Sequence, residues 1–251
     1  MKFETKMRAM VTFAMAASLA AFAGSRADKK DKDAGAKYVD SGSFGVFVKG
    51  QRVASETFHI QQQNSNSVIQ SELKEGNGGS PAVQKSDLEI TSTGELLRYD
   101  WSQAAGGSLS VSPNNDFLIE KITTPASTKP AEQPFLMPST SSILDNNFFI
   151  HREVLAWRFL AADCKQDSDG LKCQKDPGEF GVLVPQDRTS IHVRLELVGK
   201  EKVTIRGTER ELLRLNLTGE SFTWALWLDD RDQFKLMRVA IPADNTEVVR
   251  D

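Results

Sequence analysis

Two groups of short β-type runs stand on either side of one segment, LDNNFFIHREVLAWRFLAAD (144–163), that contains neither Gly nor Pro. That layout leaves few architectures open. Short alternating runs closed by Gly, Pro, Asn or Asp read as hairpins. Hairpins joined end to end build an antiparallel meander and not a parallel sheet. FGVFVKGQRVASETFHI turns at Gly50, DLEITSTGELLRYDW at Thr93-Gly94, and SLSVSPNNDFLIEKI at Pro113-Asn114-Asn115. SVIQSELKE is a further run, ended by GNGGSP. Pro125, Pro130, Pro134 and Pro138 then predict a crossing loop, because Pro removes a backbone donor and disfavours both strand pairing and helix interiors.

The central segment predicts a helix over about 144–162, with Asp145, Asn146 and Asn147 available to cap its start. Its apolar residues, among them Phe148, Ile150, Leu155, Trp157 and Phe159, surround much of the axis, so the helix should be buried on more than one side. Strands resume after it. In SIHVRLELVG, Ile191, Val193, Leu195 and Leu197 point one way, and His192, Arg194 and Glu196 point the other. EKVTIRG and ERELLRLNLTG repeat the pattern, and SFTWALWLDDRDQFKLMRVAIP turns within Asp229–Asp232. Trp227 lies opposite Trp224 and Leu226, so that strand is apolar on both faces. The expected fold class is α+β: a large curved antiparallel sheet, a half-barrel, with one main buried helix inserted between two β segments.

The N-terminus has the layout of a secretory signal peptide over residues 1–23: Lys2, Lys6 and Arg8, a short apolar run, and an A-x-A site at Ala21-Phe22-Ala23. The run is too short for a membrane span, so none is expected after cleavage. Residues 24–41 are charged and read as a disordered leader, leaving 42–251 as a single domain. Export implies a periplasmic or secreted protein. Cys164 and Cys173, the chain's two cysteines, bracket an Asp-Gly turn and fit a disulfide in such a compartment. The formal charge is −3, and no basic stripe points to nucleic acid.

Catalytic and metal signatures are lacking in the sequence. His59 and His192 read as surface residues, and His151 sits on the buried helix without a metal-ligand partner at helical spacing. No nucleophile elbow, P-loop or dinucleotide fingerprint occurs. Asp229–Asp232 is acidic for turn reasons. No catalytic residue, metal or cofactor is therefore assigned. Two segments, GSFGVFVKGQR (42–52) and GEFGVLVPQDR (178–188), share six identical positions. The identity stops after the shared Arg, so they mark the openings of the two β segments and not a duplication.

The G-x-F-G-V-x-V-x-G-x-R-V opening, the PSTSSILDNNFFIHREVLAWRF centre and the long FTWALWLDDRDQFKLMRVAIP ending together resemble uncharacterised exported bacterial proteins with the half-barrel fold of lipoprotein carriers (LolA/LolB-like). The resemblance implies a curved sheet covering a helix, with an apolar cavity between them. The expected function is non-enzymatic binding of a lipophilic or amphipathic ligand, with Phe148, Leu155, Trp157, Trp224, Leu226 and Trp227 as lining residues. Two alternatives are an envelope scaffolding or assembly protein contacting an envelope partner through Arg194, Glu196, Arg206 and Arg214, and a hydrolase using His151 or an acidic pair.

Overall fold

A computed structural model of the protein describes residues 36–76, 82–127, 129–168 and 170–251. The expected signal peptide, residues 1–23, and residues 24–35 of the expected leader lie outside the described residues. Among those described, fifteen strands form one open sheet and two more form a separate hairpin. The strands before the helix are β1 (Ala36–Val48), β2 (Gln51–Gln63), β3 (Asn66–Glu75), β4 (Ala82–Thr91), β5 (Leu96–Gln103), β6 (Ser108–Asn114), β7 (Phe117–Thr123), β8 (Ala131–Phe135) and β9 (Ser142–Ile143). The helix α1 (Ile150–Asp163) leads into β10 (Cys164–Asp167), β11 (Gly170–Cys173), β12 (Gly178–Val184), β13 (Thr189–Ile205), β14 (Thr208–Thr218), β15 (Thr223–Asp229), β16 (Lys235–Ile241) and β17 (Thr246–Arg250).

Each meander runs in sequence order, and the two are joined where β1 pairs antiparallel with β17. The sheet is antiparallel except for the short parallel contact between β12 and β9. The alternation read from sequence holds: in β2, Ala54, Glu56, Phe58 and Ile60 are buried while the residues between them are less so. The same period gives Ile69, Ser71 and Leu73 in β3, and Val193 and Leu195 in β13. These inward rows, Phe148 just before the helix, and the helix side chains Ile150, Leu155 and Phe159 make one large apolar core. Trp227 belongs to a second, small cluster with Val203, Ile205, Leu212 and Ala225. It alternates with Leu226 of the main core, which explains why both faces of β15 are apolar.

Four local expectations are corrected. The segment rich in Pro is not wholly a crossing loop: residues 131–135 form β8, and Pro134 pairs with Ile119. As the edge strand, β8 has one side where a missing N–H costs nothing. Residues 36–41 belong to β1 and not to the leader, because Asp40 is buried against Arg250 at the far end of the chain. SIHVRLELVG and EKVTIRG are one strand, β13, interrupted by a register shift between Leu197 and Gly199. The helix begins at Ile150, not near residue 144, and Asp145 does not cap it.

Cys164 and Cys173 form a disulfide that closes the β10–β11 hairpin directly after the helix. The first glycine of each echoing segment has a steric role. A Cβ on Gly42 would stand 3.2 Å from the Arg250 guanidinium, and one on Gly178 would meet the Phe159 ring at 2.7 Å.

Candidate functional site

The helix start is held by groups distant in sequence. The buried carboxylate of Glu56, on β2, accepts the backbone N–H of Phe149 at 2.7 Å and of Ile150 at 3.3 Å. It also accepts the Ser71 hydroxyl at 2.6 Å. A carboxylate there satisfies donors that every helix N-terminus leaves free and meets the positive end of the dipole. Burial outweighs these bonds and pushes Glu56 up to about 7.

Beside it, Asp145 accepts the Tyr99 hydroxyl, the Gln186 amide and the Asn147 N–H. Burial raises its carboxyl despite those bonds. Arg152 is fully buried and donates to the carbonyls of Asp145 and Phe148. Its guanidinium lies between the Phe149 and Trp224 rings, 4.8 and 4.9 Å from their centroids. Burial lowers it to about 10.

His151 stands on the face of the helix that meets the sheet. Its Nδ1 accepts the Asp145 backbone N–H at 3.3 Å. Nδ1 therefore carries the lone pair, and the neutral ring has its proton on Nε2. That Nε2 is buried and has no partner among the described residues. Burial, with Arg152 adjacent, pushes His151 down to about 3. Among the described residues no hydroxyl or thiol is hydrogen-bonded to either ring nitrogen.

A cavity of about 630 Å³ opens between helix and sheet. Leu88, Ile90 and Leu96 form its sheet side; Val154, Leu155 and Trp157 form its helix side. His151 and Arg158 are its charged or titratable lining groups, and Thr91, Thr93 and Ser142 are polar groups along its wall. Arg158 donates to Ser142 Oγ at 2.8 Å and lies 5.5 Å from the Phe180 ring centroid. Partial burial lowers its basicity, and the charge of Glu95 acts against that shift.

Of the six lining residues expected from sequence, Leu155 and Trp157 border this cavity. Phe148 and Leu226 are fully buried in the main core, and Trp224 covers Arg152. Trp227 lies in the small cluster, donating to Glu201 at 2.8 Å, with Arg238 over its ring. Sequence reasoning missed Arg158 and the sheet side of the cavity. Arg158 was accessible as the residue seven positions after His151 on one helical stripe. Leu88, Ile90 and Leu96 carried no local signal, since only the sheet register brings them opposite the helix.

A larger concavity, about 810 Å³, lies over strands β2 to β7. Its walls include His59, Gln70, Glu72, Lys85, Asp87 and Asp100. These groups are engaged with one another or with neighbours: His59 with Gln70, Gln70 with Asp87, Glu72 with Lys74 and Lys85, and Asp100 with Arg98. The cavity under the helix is smaller but more enclosed, and ligand pockets are characteristically enclosed.

Among the described residues no cluster of His, Cys, Asp or Glu could hold a metal ion. No protein-family model, curated protein or solved structure matches this chain. The class of protein at hand is thus described by its own architecture: an open antiparallel meander with one buried helix and a lined cavity beside it.

Proposed function

We propose that this protein is a non-enzymatic carrier or receptor for a lipophilic or amphipathic molecule, held between the helix and a sheet curled into a half-barrel. The observation that carries the reading is the cavity of about 630 Å³ between helix and sheet, with Leu88, Ile90, Leu96, Val154, Leu155 and Trp157 in its walls and Arg158 as its charged group. Ligand sites combine apolar walls with a few placed polar groups in this way.

Curling of the sheet is supported by chain connectivity. Fifteen strands laid flat would measure about 67 Å across, at roughly 4.8 Å per strand. The two edge strands, β8 and β9, are nevertheless consecutive in the chain, joined by residues 136–141. A link of that length reaches at most about 25 Å. The sheet must bend to bring its edges that close, and Leu96 N–H bonding Ser139 O fixes part of that link against β5. The neutral His151, locked by a backbone N–H and bonded to no nucleophile, favours binding over hydrolysis. The disulfide suits an oxidising, periplasmic or extracellular location.

The test is mass spectrometry of organic extracts from natively purified protein, paired with displacement of a fluorescent fatty acid. A co-purifying lipid or a displaceable probe is expected. A clean extract together with no probe binding contradicts the reading.

A further inference from the structure

The charge balance of the cavity narrows the ligand class, and this inference rests on the cavity holding a lipophilic molecule. Arg158 is the charged residue of its wall, and among the described residues no carboxylate lines it. His151 adds no charge, because burial pushes it down to about 3. Three other lining residues place the Arg158 side chain at the wall. Its Nη1 donates to Ser142 Oγ at 2.8 Å, and the Phe180 ring centroid lies 5.5 Å from the guanidinium. The β4–β5 turn packs on its stem, where a Cβ on Gly94 would stand 3.2 Å from Cδ.

The donors that remain are within reach of a ligand. Nε and Nη2 of Arg158 have no acceptor among the described residues, and neither belongs to the buried unpartnered atoms, so both keep accessible surface. Among the described residues no carboxylate is within ion-pair distance of the guanidinium, and Glu95 acts on it only at longer range. Partial burial has stripped some of its hydration, which a bound anion would replace. A guanidinium fork matches the paired oxygens of such an anion. One turn earlier on the helix, Val154 and Leu155 line the same space together with Leu88, Ile90 and Leu96. The cavity therefore has a cationic place and an apolar length.

We infer that the cavity selects amphiphiles by charge: an oxyanion head is clasped by Arg158 beside Ser142, and the alkyl chain runs from there along Val154 and Leu155. Acids are preferred over alcohols and cations of the same chain length. Glu95 tempers the preference, because its negative charge weakens the attraction at Arg158.

The experiment is competition against an uncharged fluorescent dye, Nile red, bound to the full protein. The competitors share one alkyl chain: dodecanoate, dodecyl phosphate, dodecanol and dodecyltrimethylammonium. At least one of the two anions should bind about tenfold more tightly than dodecanol, the worth of one charge-assisted hydrogen bond, and the cation should compete least. The tighter of the two anions tells a carboxylate head from a phosphate head. In Arg158→Gln the anions and dodecanol should compete equally. A second variant leaves Arg158 in place: Glu95→Gln should tighten the anion by about twofold, and not dodecanol. Anions no tighter than dodecanol, a preference that survives Arg158→Gln, or an anion weakened by Glu95→Gln overturns the inference. If neither the dye nor any dodecyl compound binds, the binding reading falls with it, whereas binding without a preference for charge overturns the inference alone.

Discussion

Glu120, on the inward face of β7, is buried, and among the described residues neither of its oxygens has a hydrogen-bond partner. Burial pushes its carboxyl from 4.5 up to about 7, with Arg188 pulling the other way. The folded protein thus holds the Glu120 proton more tightly than the unfolded chain does. The stability tied to that proton is complete below pH 4.5 and is lost as pH rises through about 7. Replacing Glu120 with Gln should raise the melting temperature at pH 8 and flatten its decline between pH 5 and pH 8, as read by calorimetry. His151 works in the opposite window: its folded form resists protonation, so its contribution is lost as pH falls from 6.5 toward about 3. Comparing Glu120→Gln with the native protein at each pH separates the two. Gly178 carries a steric constraint, because a Cβ there meets Phe159. Gly178→Ala should cost about 1–3 kcal/mol in urea unfolding, as overpacking does.

At the scale of elements, the helix shows where local sequence stops being informative. Its existence and burial follow from a stretch without Gly or Pro whose apolar residues encircle the axis. Its start does not, because the acceptor that serves Phe149 and Ile150 comes from Glu56, 93 and 94 residues earlier. Asp145 looked like the cap but is occupied with Tyr99 and Gln186. Glu56→Ala should strand two buried N–H groups and cost about 2–6 kcal/mol by urea unfolding, at roughly 1–3 kcal/mol per unsatisfied group. Strand β8 was hidden by Pro134, which only an edge strand tolerates, and edge position is a property of the whole sheet. The hairpin turns at Gly50 and Thr93-Gly94 were legible because Gly takes positive φ readily, and Gly50 and Gly94 have φ of 79° and 83°. Half of the site was equally legible: the helix stripe follows from a 3.6-residue period, while the sheet residues opposite it depend on strand order. Replacing Cys164 and Cys173 with Ser should cost about 2–3 kcal/mol by the loop-entropy account of a short closed loop, measured by thermal unfolding with and without reductant.

Across the described residues, strands β1 and β17 meet at one buried ionic group. Arg250 on β17 donates to both oxygens of Asp40 on β1, at 2.7 and 2.6 Å, and to Glu153 on the helix at 3.2 Å. Its guanidinium lies 5.8 and 5.0 Å from the centroids of the stacked Phe44 and Phe58 rings. Glu153 also accepts the Leu236 N–H on β16, so four elements are tied through these side chains. Burial and the nearby Asp40 charge raise the Glu153 carboxyl, with Arg250 opposing. Arg250→Ala leaves Asp40 buried without that bidentate partner and should cost about 3–5 kcal/mol in denaturant unfolding. This tie fixes β1 against β17, the seam between the two meanders, and positions the helix whose far side borders the cavity. Neither the seam nor the tie has a local signature, since both unite residues some two hundred positions apart.

The central claim, that the space between helix and sheet is a ligand site, is tested most directly by titrating a fluorescent fatty acid into the native protein and into Val154→Phe. Val154 lies in the cavity wall between His151 and Arg158, so the added ring occupies ligand space. Saturable one-to-one binding to the native protein, lost by about tenfold or more in a Val154→Phe protein of unchanged melting temperature, is the predicted result, since a filled pocket forfeits the apolar contacts that hold the chain. Absence of saturable binding, or equal binding by the two proteins, would contradict the claim.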